Sequence, residues 1–94
     1  MKLKVFSVYD EKAQTYAHPV YFPKAEIGRR AFGDLALDTT SQINKHPRDY
    51  GFYCMGEYDD STGKFTNLPQ PEYICRASDF IGDPEVKVKE ETEE

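Results

Sequence analysis

The hydrophobic period of this chain changes at Pro23, and few folds accommodate both periods in so short a polymer. Before it, polar and apolar residues alternate through Lys2, Leu3, Lys4 and Val5 and run on into Phe6-Ser7-Val8-Tyr9, which is the period of a strand. A polar break from Asp10 to Gln14 precedes Thr15 to Phe22, which is again strand-like, so the two segments are expected to form a hairpin. Pro19 has no amide hydrogen, which confines that second strand to an edge or a bulge. From Lys24 to Leu37 the spacing becomes helical: Ile27, Ala31 and Leu35 stand at i, i+4 and i+8, with Phe32 widening the stripe. Pro23 suits the first turn of that helix, and Glu26, Arg30 and Asp34 are spaced for side-chain pairing along it. Gly28 and Gly33 each weaken the helix by about 1 kcal/mol relative to alanine. Its apolar stripe must therefore be held against a sheet.

Strand character returns after the helix. Asp38 to Ser41 offers caps and turns, Gln42 to His46 suits one short helical turn, and Pro47 closes it. Tyr50 to Tyr58 is the most aromatic stretch, with Gly51 and Gly56 marking a bulge or a close backbone approach. Asp59 to Gly63 reads as a hairpin turn with Gly63 at its left-handed position, and Lys64 to Thr66 as the returning strand. Asn67 to Pro71 reads as a stiff connector, Glu72 to Ala77 as a last strand, and Ser78 to Gly82 as the end of order. The expected fold class is α+β: a small antiparallel sheet of about four to five strands with one amphipathic helix, ββαββ-like. A partly open barrel with an inserted helix satisfies the same pattern. No internal repeat is visible.

The 94 residues leave room for one domain, expected over 1–82, with an acidic tail over 83–94. That tail holds six acids and two bases, so it carries −4 of the net −5, and the body is close to neutral. Dense in charge and free of aromatics, the tail is expected to be mobile. Charge alone therefore neither demands nor forbids a polyanionic partner. No apolar run approaches the roughly 20 residues of a membrane span, and Met1 leads straight into Lys2-Leu3-Lys4 without a signal-peptide core. The expectation is a soluble protein that remains where it is made.

Motifs for catalysis or metal binding are missing. Cys54 and Cys75 lie far apart with no flanking histidine, a pattern of two reduced core thiols rather than of a zinc framework. His18 and His46 each precede proline and have no ligand partner at helical spacing. Asp60-Ser61-Thr62-Gly63 is one residue too long for the aspartic-protease loop and lacks the distal glutamate of a calcium loop. With no phosphate-cradling glycine loop and no nucleophile beside a base, no metal, no cofactor and no enzymatic activity are expected.

Surfaces remain. Lys2, Lys4, Lys24, Arg29, Arg30, Lys45 and Arg48 hold most of the body's positive charge and all precede the aromatic stretch. Proteins that bind single strands combine backbone-tracking cations with rings on which bases stack. On that reasoning Lys2, Lys4, Lys24, Arg29, Arg30 and Arg48 are candidate phosphate contacts, and Phe6, Tyr9, Tyr50 and Phe52 are candidate stacking rings.

The opening Met1 to Asp10, the arginines near Phe32, and the block from His46-Pro47-Arg48-Asp49-Tyr50 through Gly56-Glu57-Tyr58-Asp59-Asp60-Ser61-Thr62-Gly63-Lys64-Phe65 resemble the small nonstructural protein of gokushoviruses. These are single-stranded DNA phages of the microvirus family. The resemblance runs from Met1 to about Phe65 and weakly to Pro71. It implies a protein of the infected bacterial cytoplasm, absent from the virion and assigned to single-stranded DNA synthesis and genome packaging. It transfers no catalytic residue. The expected function is a non-enzymatic accessory protein that binds single-stranded DNA. The alternative is an interaction module that contacts the replication initiator, the procapsid or a host polymerase without touching DNA. A homodimer is also expected to be accessible, because a small domain gains stability by burying apolar surface.

Overall fold

The computed structural model describes residues 1–81, so the expected boundary after 82 and the acidic tail lie outside the described residues. Within them the order is β1 (Lys2–Asp10), β2 (Thr15–Tyr16), β3 (Val20–Phe22), α1 (Ala25–Leu37), α2 (Gln42–Lys45), a 3-10 turn (Pro47–Asp49), β4 (Tyr50–Asp59), β5 (Lys64–Arg76) and α3 (Ser78–Ile81). This is an α+β fold with one antiparallel sheet, ordered β2-β1-β4-β5, and β3 also pairs with β1.

The expected second strand is split. Thr15–Tyr16 pairs with the C-terminal end of β1, at Tyr9 and Asp10, and Val20–Phe22 with its middle, from Lys4 to Phe6. Pro19 lies in the break between them, on the sheet's edge, where its missing donor leaves no ladder bond unmade. The freed Ala17 carbonyl instead accepts from the buried Ser7 hydroxyl at 2.7 Å.

α1 lies on one face of the sheet, turned differently from the expected stripe. Gly28, Phe32, Gly33 and Ala36 are buried, whereas Ile27 and Leu35 stay 46% and 41% exposed. The two glycines cause this. A Cβ on Gly28 would come within 3.1 Å of the Phe6 and Phe22 rings, and one on Gly33 within 2.6 Å of Phe80. The helix can sit this close to the rings only on its glycine side. Pro23 precedes the N-cap Lys24 and so lies just outside the first turn. Phe32 of the helix stacks on Phe52 of the sheet, and Phe52 on Phe6, with centroids 4.9 and 5.0 Å apart.

Two expectations after β4 are corrected. The expected connector at Asn67 to Pro71 falls within β5, which runs from Lys64 to Arg76 and whose register with β4 shifts twice, between Phe52 and Tyr53 and between Cys54 and Gly56. Between Asn67 opposite Gly56 and Glu72 opposite Cys54 the segment Leu68 to Pro71 has no partner on β4, and Pro69 and Pro71 are tolerated in this bulge of an edge strand. The chain stays ordered at Ser78–Ile81, which forms a helical turn that sets Phe80 edge-on to Phe32.

Candidate functional site

Strand register assigns every paired side chain to one of two faces, because neighbours across a ladder point the same way. Phe6, Val8, Phe52, Cys54 and Cys75 point toward α1. The opposite face carries Tyr9, Tyr16, Tyr21, Tyr53, Tyr58, Phe65 and Tyr73, joined in register by the pairs Tyr9 with Tyr16, Val5 with Tyr21, Leu3 with Tyr58, Ser7 with Tyr53, Tyr58 with Phe65, and Tyr53 with Tyr73. No paired residue on this face is acidic.

The rings form two groups. In one, Tyr9 lies 4.6 Å from Tyr16, and Tyr53 meets Tyr9, Tyr16 and Tyr73 edge-on at 5.6–6.2 Å. In the other, Tyr21, Tyr58 and Phe65 are in mutual contact, with Tyr58 and Phe65 4.7 Å apart. Val5 and Ser7 lie between the groups and are buried. The rings therefore form the outer surface, with Tyr73 51% and Phe65 55% exposed. Partial burial, with Tyr53 and Tyr9 alongside, pushes the Tyr16 phenol above its ordinary pKa, so it remains a neutral hydrogen-bonding group.

Arg76 is the one cation among the paired residues of this face, opposite Gly51. Its guanidinium lies over the Tyr73 ring at 5.9 Å, and Nη1 donates to the Glu11 carboxylate and, at 2.9 Å, to the Arg48 carbonyl. Partial burial opposes its charge, but the Glu11 hydrogen bond and field outweigh that and raise its pKa.

The residues singled out from sequence do not converge. Phe6 and Phe52 are 0% and 2% exposed, so they are core rings and cannot receive a base without opening the core. Tyr50 is half-buried on the α1 side, where burial and the nearby Asp10 and Asp49 raise its pKa. Only Tyr9 of the four candidate rings belongs to the open face. Lys24 caps α1, while Arg29 and Arg30 lie within it, and Arg29 is held 4.9 Å over the Phe80 ring. Lys2 and Lys4 share the α1-side face with Glu57 and Asp59, and Lys4 Nζ is 4.0 Å from Glu57. Arg48 lies in the 3-10 turn. Apart from Arg48, whose carbonyl meets Arg76, the cations expected to grip phosphate lie on the α1 side of the sheet or in the helix.

Two other features complete the surface. Where the edge strand breaks, an open apolar groove of about 390 Å³ runs between Val8, Ala17, Val20, Leu35, Ile43 and Tyr50. Cys54 and Cys75 are free buried thiols, and burial pushes Cys75 up to about 11, leaving it protonated at neutral pH. Among the described residues no cluster of metal-ligating side chains forms, and no helix is long and apolar enough to cross a membrane.

The residues missed from sequence are Tyr16, Tyr21, Tyr53, Tyr58, Phe65, Tyr73 and Arg76. A usable signal existed: tyrosine prefers positions with one apolar side and one wet end, and six of the seven tyrosines lie on the open face.

Fold and surface together define a small α+β protein that covers one sheet face with a helix and presents rings on the other. The chain matches the family described as Phage ORF5 protein over residues 3–80 and belongs to that family. It is 30% identical over 95 aligned residues to Protein ORF5 of Chlamydia phage 1, a gokushovirus, covering 96% of this chain and 99% of that protein. The gokushovirus resemblance is therefore borne out. No solved structure matches.

Proposed function

We propose that this protein is a non-enzymatic phage accessory factor that binds single-stranded DNA by laying bases on the open aromatic face. It would act in the cytoplasm of the infected bacterium, in single-stranded DNA synthesis or genome packaging. One observation carries the reading: seven of the thirteen rings share a single sheet face whose paired residues include no carboxylate. Each base stacked on such a ring contributes ~1–3 kcal/mol, and stacking tolerates any sequence. Because most cations lie elsewhere, binding should depend on salt only shallowly. Fluorescence anisotropy of labelled oligo-dT over a salt series tests this. Tyr73→Ala should weaken binding by about five- to a hundredfold, the equivalent of one lost stack. No binding at low salt, or binding with no salt slope at all, overturns direct contact.

A second reading draws on the separation of cations from rings and on the apolar groove beside Leu35. Tyrosine-rich, weakly charged faces also suit protein partners, here the replication initiator, the procapsid, a host polymerase or a second copy of this chain. Pull-down from infected lysate with and without nuclease separates the two readings. Sedimentation of the purified chain reads self-association directly.

A further inference from the structure

A guanidinium carries five N–H donors arranged as a fork, and two on one edge match a phosphate. Arg76 uses little of that fork. Among the described residues both hydrogen bonds of its side chain leave from Nη1, to Glu11 and to the Arg48 carbonyl, so Nη2 and Nε have no acceptor there. The group is nevertheless fixed in place. Its central carbon lies 5.9 Å from the Tyr73 ring centroid, the Arg76 backbone N–H donates to the Asp79 carboxylate at 2.8 Å, and Arg76 is paired across the ladder with Gly51. Glu11 is more exposed than the arginine it pairs with, and its own backbone N–H is tied to the Asp49 carbonyl at 2.8 Å. The carboxylate can therefore swing away while the loop stays anchored. Exposed ion pairs of this kind are weak, whereas a phosphate on the free edge of a guanidinium makes charge-assisted, paired hydrogen bonds.

We propose that Arg76 is a phosphate fork at one end of the aromatic face, its free Nη2–Nε edge taking a nucleic-acid phosphate, and that Glu11, held on Nη1, is a built-in competitor whose charge weakens that grip. The inference rests on the single-stranded DNA reading and adds a contact and its control. Binding would then sense ionic conditions at this one point of an otherwise weakly charged surface.

The test uses the full chain and oligo-dT in the same anisotropy format. Glu11→Gln keeps the side-chain shape and removes the competing charge. It should bind about three- to tenfold more tightly at low salt, with a log–log salt slope steeper by about 0.7, the increment of one additional phosphate contact on a single strand. Arg76→Gln should bind more weakly than wild type, and adding Glu11→Gln to it should change nothing further. Arg76→Lys, which keeps the charge without the fork, replaces Arg76→Gln if thermal melting shows that variant unfolded. The masking is overturned if wild type binds and Glu11→Gln binds no more tightly. It is equally overturned if the gain persists without Arg76, which would be a general charge effect. Absence of binding by both wild type and Glu11→Gln overturns this inference and the DNA reading together.

Discussion

Phenylalanine and tyrosine differ by one hydroxyl, and in this chain that hydroxyl sorts all the rings but Phe65 on the open face and Tyr50 on the helix side. Phe6, Phe32 and Phe52 are buried and Phe22 and Phe80 pack against them, whereas Tyr50 alone among the tyrosines lies on the α1 side. A phenol buried without a partner loses its hydration, while a phenyl ring loses nothing by burial. The partition was therefore available from residue type, although the strand alternation that places Phe52 and Tyr53 on opposite faces does not say which face is inner. Glycines are legible in a similar way. Gly56 has φ +152° and a Cβ there would lie 2.3 Å from the Thr66 carbonyl oxygen, whereas Gly63 has φ +74° with open space around it. Gly56→Ala should destabilise the fold by roughly 2 kcal/mol or more, from strain and collision together. Gly63→Ala should cost only about 1 kcal/mol, the left-handed penalty alone. Urea denaturation of the two variants checks the order, and equal costs would contradict this account of β4.

Among the elements, α1 is the most instructive. Its existence and range follow from the period change at Pro23, but its rotation does not. Ile27, Ala31 and Leu35 form the more hydrophobic stripe, yet the glycines decide the contact because rings lie directly under the helix. A scale of residue hydrophobicity assigns glycine no preference for the inside and so misses close approach. The consequence is measurable. Phe32→Ala should cost roughly 3–5 kcal/mol, while Ile27→Gln and Leu35→Gln should each stay within about 0.5 kcal/mol. If the Ile27 and Leu35 variants proved as damaging as Phe32→Ala in chemical denaturation, the assigned rotation would be wrong. β5 teaches a related lesson. Two prolines at Pro69 and Pro71 suggested a connector, but the edge strand carries them in a bulge that leaves the ladder between Asn67 and Glu72 and rejoins it, which proline permits.

Over the whole molecule, sequence pattern led to the fold class, the hairpin turn at Gly63 and the family. The site was less accessible, because facing depends on register and register on long-range pairing. Lys2 and Lys4 pair across from Asp59 and Glu57, positions more than fifty residues away, so their near-neutral surroundings cannot be read locally. The resulting molecule keeps seven of its thirteen rings on the open face and most of the basic residues singled out from sequence on the helix side. That separation makes the account specific: DNA should contact the rings rather than the basic helix. Mapping backbone amide chemical shifts of the labelled protein during titration with oligo-dT measures this most directly. The account predicts the largest shifts at Tyr16, Tyr53, Tyr58, Phe65, Tyr73 and Arg76, with Lys24, Arg29 and Arg30 nearly still. Shifts concentrated on α1, or none at saturating oligonucleotide, would contradict it.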